Sequence, residues 1–388
     1  MNKIILIILL AAVAGLYILK KPLIPPGTAR PETAAVPTGA AATGYRIEEY
    51  VSGLYVPWSI VFTEPDRMLV AERNGSIRII QEGRLDPEPL HKFADVTEDG
   101  EAGLMGLATD PQYGVNRLIY AAYAYRSAAG VAVRIVLMKD DGDTVSGITE
   151  IVPGIAAARI HAGTGISFGP DGKLYISSGD GSVRQNAQNM SLLSGKILRL
   201  ETEGSVPGDN PFAGSPVYAL GFRNVQGLAW DRRTGNLWAT DHGPSGFDGP
   251  GGGDEINLVK RGANYGWPVV SHEKTMPQFE SPQQVYTPAV APAGLIIYDS
   301  SMLPQLRGKL LFTGLRGEGI FAVELTEDRL KAVRTDKLPE VNYGRIRAIA
   351  VGPEGYIYFS TSNRDGRGKV RAGDDRIFRI IPNTGGGP

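Results

Sequence analysis

From Tyr50 onward the chain is dominated by short runs in which apolar and polar side chains alternate, each cut off by Gly, Pro or Asp. Alternation with period two predicts strands, and outside an N-terminal apolar run no long stretch keeps a helical period. One unit recurs: an apolar strand, a turn containing Asp or Pro and often Gly, then a second apolar strand. Copies begin at Pro57 (PWSIVFTEPDRMLVAER), Gly106 (GLATDPQYGVNRLIYAAY), Gly165 (GISFGPDGKLYISSGDG), Gly227 (GLAWDRRTGNLWATDHG), Leu295 (LIIYDSSMLPQLRGKLLFTG) and Ile346 (IRAIAVGPEGYIYFSTS). They recur at roughly 45 to 75 residues, which suits four-stranded blades with variable loops. A blade must bury both faces against neighbours. Six related hairpins therefore predict an all-β, six-bladed β-propeller over residues 45–385, in preference to two β-sandwiches. The longest excursions between copies, Asn186–Ser215 and His242–Tyr286, are expected to build the functional face around the central channel.

The first residues read differently. An apolar run, Ile4 to Leu19, lies between Lys3 and Lys20-Lys21. It is long for a signal-peptide core and short for a membrane span, so residues 1–21 are expected to be a signal peptide or membrane anchor. Residues 22–44, rich in Ala, Pro, Thr and Gly, read as a flexible tether. Export to the periplasm or cell exterior follows, with anchoring through residues 4–19 left open. Forty basic and 41 acidic residues give a net charge of -1, which offers no electrostatic case for nucleic acid. The absence of cysteine excludes disulfides, thiolate catalysis and cysteine zinc sites.

Four segments could carry chemistry. In IHAGTGISFGPDGKLYISSGDG, a Gly-Pro-Asp-Gly turn folds two strands together and brings their open ends close. His161 and Asp180 flank that end, as a histidine oriented by a carboxylate or as an unrelated loop pair. In YALGFRNVQGLAWD, Arg223-Asn224 precedes the fourth copy. The guanidinium suits a carboxylate, a developing oxyanion or a blade-to-blade ion pair. The Gly-rich run from Ala239 to Pro268 carries Asp248, Asp254 and Glu255, hard oxygen ligands of the kind that suit Ca²⁺, or else is a surface loop. Tyr265-Gly266-Trp267-Pro268 within it is too bulky and apolar for a free loop. In GRIRAIAV, Arg345 and Arg347 alternate and point to one side, which demands an anion between them: a neighbouring carboxylate or a polyanionic ligand. Trp58, Trp230, Trp238 and Lys196 read as structural, and His91 and His272 as surface or packing residues.

Taken together, PWSIVF, GLMGLATDP, the His161 hairpin, LSGKILRL, GFRNVQGLAWD, HGP with GGDEIN, GANYGWP and GRIRAIAVGPEG resemble the quinoprotein sugar dehydrogenases, from about Tyr50 to Pro382. These are the soluble aldose and glucose dehydrogenases dependent on pyrroloquinoline quinone (PQQ), also grouped as glucose/sorbosone dehydrogenases. The resemblance implies oxidation of an aldose at its anomeric carbon to the lactone, with hydride transfer to PQQ and electrons passed to an external quinone or cytochrome. It implies that His161 is the general base, held by Asp180, and that Arg223 stabilises charge on the quinone with Asn224 beside it. It places the carbonyls of Gly243 and Pro244 on a Ca²⁺, Arg345 and Arg347 on the PQQ carboxylates, and Glu255 with the Tyr265 backbone at a further calcium position. Glu101 stands where glutamine is common beside the cofactor, and Arg316 where lysine is usual. Ala289 lacks a hydroxyl, Thr287 replaces an aromatic, and an insertion around Phe247–Gly252 lengthens the calcium loop. Two other readings of the same ring are a calcium-dependent lactonase and a non-catalytic carbohydrate- or protein-binding propeller.

Overall fold

The Gly-Pro-Asp-Gly turn does make a hairpin. In the computed structural model, Ile166 pairs with Ile176 and Phe168 with Leu174, antiparallel. The structure describes residues 44–383; the N-terminal run, nearly all of the 22–44 tether and the end of the predicted 45–385 domain lie outside the described residues. Each of the six copies supplies the first two strands of one antiparallel sheet, five-stranded for the copy at Pro57 and four-stranded for the other five. The innermost strands are Pro57–Glu64, Leu104–Thr109, Ile166–Phe168, Val225–Asp231, Pro292–Tyr298 and Ile346–Val351. They follow one another around a central channel, numbered here as blades 1 to 6, so the chain is a six-bladed β-propeller.

Ring closure was not legible in the repeat. Blade 6 takes Ile346–Val351, Ile357–Thr361 and Ile377–Pro382 from the C-terminal end, and its outermost strand, Tyr45–Val51, comes from the beginning of the domain. Tyr45 pairs with Pro382 and Ile47 with Ile380. The backbone groups that would leave an open edge are thereby satisfied, and the two ends of the domain are locked together.

Apolar clusters fill the interfaces between blades. One, around Trp58, Met105, Tyr120 and Ile176, joins blades 1, 2 and 3; another, around Tyr298, Leu311, Ile346 and Phe359, joins blades 5 and 6. Trp58 and Trp238 are buried as expected, while Trp230 is half-buried and packs edge-on against Tyr175. Lys196 is fully buried, donating to the carbonyls of Asn186 and Ser194, a structural role that ties down the loop after blade 3's second strand.

That loop and the blade 4 excursion interlock. Gln188 and Asn264 exchange side-chain hydrogen bonds at 3.0 and 2.7 Å, and Gln188 also donates to the Trp267 carbonyl. Of the two excursions, His242–Tyr286 lines the functional cavity, and Asn186–Ser215 buttresses it from behind. Among the described residues no helix is long and apolar enough to cross a membrane.

Candidate active site

His161 sits just before the inner strand of blade 3 with φ of +59°. Its carbonyl approaches Gly179 so closely that a Cβ there would lie 2.0 Å from it, so only glycine fits in SSGDG. This close approach sets the imidazole beside Asp180. Nδ1 lies 2.7 Å from Asp180 Oδ1, and both side chains are buried. Asp180 is itself fixed: Oδ1 accepts the Ser182 amide and Oδ2 accepts the Trp267 indole N–H at 2.9 Å. The ordered Tyr265–Pro268 segment thus orients the carboxylate that orients the histidine. Nε2 is left facing a cavity of about 400 Å³.

The Arg223-Asn224 pair reaches the same cavity from the turn between blades 3 and 4. The Asp180 amide donates to the Arg223 carbonyl at 2.8 Å. Asp241 lies beneath the pair, accepting the Arg223 amide at 2.9 Å and the Asn224 amide at 2.6 Å. The Arg223 guanidinium is buried and held by Asp248 Oδ2 at 2.7 Å, the His242 carbonyl and the Ser245 hydroxyl. Asp248, read from sequence as a hard-cation ligand, is therefore the counter-ion of Arg223. Asn224 accepts the Gly163 amide through Oδ1 and points Nδ2 at Glu101.

Glu101 faces this group from the loop before blade 2. Oε2 accepts the His161 amide at 3.2 Å, and Oε1 pairs with Arg367 at 2.9 Å. Burial pushes its carboxyl up, but His242, Arg367 and the His161 amide outweigh burial and hold it at about 2. The carboxylate at this position is thus compensated by an arginine from blade 6, in a turn where no periodic pattern marks it.

Arg345 and Arg347 share a carboxylate. Asp365 Oδ2 lies 2.7 Å from Arg345 Nε and 3.5 Å from Arg347 NH2, so the anion between the two is a protein group. They do not share a cavity. Arg345 lines the His161 cavity. Arg347 stacks 3.6 Å above the Trp58 ring, bonds Gln226, and lines a separate channel cavity of about 290 Å³; burial lowers it to about 10. Arg316 lines the His161 cavity with an exposed side chain, and Ala289 forms another part of that wall. Thr287 does not line it; its hydroxyl accepts the Gly253 amide and props the glycine loop.

Gly243 and Pro244 both line the cavity. The Gly243 amide donates to Asp254, and the Pro244 carbonyl accepts the Gly252 amide at 3.2 Å. Gly243 packs against the Gly252-Gly253 backbone with no room for a Cβ. Behind them Glu255, Asp241 and Tyr265 surround a void of about 10 Å³, close to the space of one water molecule. Burial raises both the Glu255 and Asp241 carboxyls, and Asp241 raises Glu255 further. Among the described residues no three His, Asp or Glu side chains group as a metal cage.

One face of the ring thus gathers a carboxylate-oriented histidine, four arginines (Arg223, Arg316, Arg345, Arg367) and a Gly-Pro turn around one cavity. A family model described as glucose / sorbosone dehydrogenase matches residues 54–371, and the chain belongs to that family. It is 30% identical over 355 residues to aldose sugar dehydrogenase YliI of Escherichia coli K12, covering 84% of this chain and 92% of that one. It is similar to the PQQ-bound form of aldose sugar dehydrogenase from Streptomyces coelicolor, with a TM-score of 0.77 and 32% identity over 87% of this chain and 98% of that one. It is also similar to the structure of the apo-form of the soluble aldose sugar dehydrogenase of Escherichia coli, at 26% identity, a TM-score of 0.76, and 87% and 99% coverage.

Proposed function

We propose that the chain is a PQQ- and Ca²⁺-dependent aldose dehydrogenase that oxidises a sugar at the anomeric carbon to its lactone and passes the electrons to an external quinone or cytochrome. The observation that carries this reading is the Asp180–His161 pair, whose Nε2 faces a cavity lined by arginines.

The residues present fit the cofactor. A cavity of about 400 Å³ is of ligand size, since such sites span roughly 300–1,000 Å³. Four arginines line it against two acids, Glu101 and Asp254. Asp254 is saturated by the amides of Gly243, Val290 and Ala291, and Arg223, Arg345 and Arg367 are paired with Asp248, Asp365 and Glu101; the positive charge of Arg316 and the remaining guanidinium N–H donors suit a planar polycarboxylate. Arg345, Arg316 and Asn224 would hold PQQ. The carbonyls of Gly243 and Pro244 offer hard oxygens to a Ca²⁺, which would draw its remaining donors from the cofactor or water. Glu255 and the Tyr265 segment, around a one-ion void beside two mutually repelling carboxylates, fit a second cation.

When bound, PQQ supplies a quinone that accepts two electrons and the hydrogen from the anomeric carbon, and Ca²⁺ supplies Lewis acidity beside it. The chain's own part is proton and charge handling. Asp180 accepts the Nδ1 proton of His161, which fixes the tautomer in which Nε2 is free to take the proton of the anomeric hydroxyl. Arg223, clamped by Asp248 and the His242 carbonyl, presents fixed positive charge where negative charge develops. Glu101 holds the His161 backbone, and Arg367 keeps Glu101 ionised. The apolar run Ile4–Leu19 would direct the domain out of the cytoplasm. The test is product identification: wild type with PQQ, Ca²⁺, an aldose and a two-electron dye should form one lactone per dye reduced. Hydrolysis of added lactone with no dye reduction would contradict the dehydrogenase reading.

A further inference from the structure

Phe247 stands at the rim of the His161 cavity with 62% of its surface exposed. Single exposed apolar residues are ordinary on protein surfaces, so exposure alone assigns nothing. Its placement is what matters. The ring centroid lies 5.8 Å from that of His161, with an interplanar angle of 32°. The turn that carries it is fixed on both sides: the Gly246 amide donates to the Gly249 carbonyl at 3.0 Å, and Asp248 accepts from Arg223 and the Ser245 amide. The Asp248 carbonyl also accepts from Arg184. An aromatic that the fold leaves mostly uncovered is therefore held in place by the same carboxylate that clamps Arg223.

We infer that Phe247 is a wall of the sugar subsite, packing against the apolar C–H face of an aldopyranose whose anomeric hydroxyl reaches Nε2 of His161. The inference rests on the dehydrogenase reading above. The sugar lies beside the two rings and not between them. Carbon contacts are optimal at about 3.5–4.0 Å, so an intercalated ring would need about 7–8 Å, more than the observed spacing. A phenyl ring offers apolar area and a negative π face that suits C–H groups. Aldopyranoses with equatorial hydroxyls expose an unbroken C–H face and should bind better than epimers with an axial hydroxyl on that side.

The experiment separates binding from turnover. Anhydroglucitol, a glucopyranose without the anomeric hydroxyl, is titrated calorimetrically into the PQQ- and Ca²⁺-loaded protein, and KM and kcat are measured with glucose. In Phe247→Ala, Kd for anhydroglucitol and KM for glucose rise about tenfold, equivalent to about 1.4 kcal/mol, while kcat stays within about twofold and PQQ affinity holds. Phe247→Trp restores both. Unchanged Kd and KM in Phe247→Ala, an equal loss of PQQ affinity, or no binding of anhydroglucitol to wild type would overturn the assignment. Phe247-dependent binding of anhydroglucitol with no oxidation of any aldose would leave the subsite standing and remove the dehydrogenase reading instead.

Discussion

Arg367 meets Glu101 at 2.9 Å across 266 residues of sequence, tying the last blade to the loop before the second. The other oxygen of Glu101 accepts the backbone amide of His161, so this ion pair supports the backbone that carries the base. Its pH behaviour follows from sign. The Glu101 carboxyl lies at about 2 in the fold, against about 4.3 in an unfolded chain. Below the unfolded value the unfolded chain binds the proton first. The stabilisation is therefore complete above about 4.3 and is lost as pH falls toward 2. Glu101→Gln should lose this component of the acid slope, measured as thermal melts between about pH 5 and pH 2.5. Arg367→Gln, which removes a side chain that is itself 57% exposed, should cost only about 1 kcal/mol.

His161→Ala should lower kcat by about 10²- to 10⁴-fold, the usual contribution of general-base catalysis, with PQQ affinity retained. Asp180→Asn should lower kcat by a smaller factor, because the imidazole stays in place and loses only its fixed tautomer. Steady-state kinetics at saturating PQQ separate the two. An active His161→Ala enzyme would remove the base assignment.

Asp248 and Arg223 are a buried pair, with side chains 5% and 3% exposed. Asp248→Ala strands a buried guanidinium and should cost about 3 kcal/mol, read from urea unfolding. Asp248→Asn keeps a hydrogen-bond acceptor and should cost less. A neutral effect of Asp248→Ala would mean that Arg223 finds its charge balance elsewhere.

The two strand arginines should separate in function. Arg345 lines the His161 cavity and Arg347 lies over Trp58 on the channel side. Arg345→Ala should weaken PQQ binding about tenfold or more, and Arg347→Ala should weaken it less, in a fluorescence titration. Equal losses would place both guanidiniums on the cofactor.

What the sequence disclosed was set by local chemistry. The hairpin turn at Gly169–Gly172 fixes the separation of His161 and Asp180, so that contact was readable in advance, as were the six copies and the ring they imply. The closing strand Tyr45–Val51 was not, because one isolated strand carries no sign of a partner more than three hundred residues away. The counter-ions were also hidden. Asp248 looked like a calcium ligand from its Gly-rich neighbourhood, and only the fold turns it onto Arg223. Asp365 and Arg367 lie in the turn SNRDGRG, where no periodicity marks a side chain's direction. Of the two anions that could sit between Arg345 and Arg347, the structure supplies the protein one, Asp365. Trp267 was legible as ordered, and its bond to Asp180 supplies the reason.

Reconstitution tests whether the protein is a PQQ- and Ca²⁺-dependent dehydrogenase. PQQ is titrated into the purified, cofactor-free protein with and without Ca²⁺, and dye reduction is followed on adding aldoses. Tight PQQ binding that requires Ca²⁺ is expected, followed by sugar-dependent dye reduction. Failure to bind PQQ in the presence of Ca²⁺ would contradict that reading.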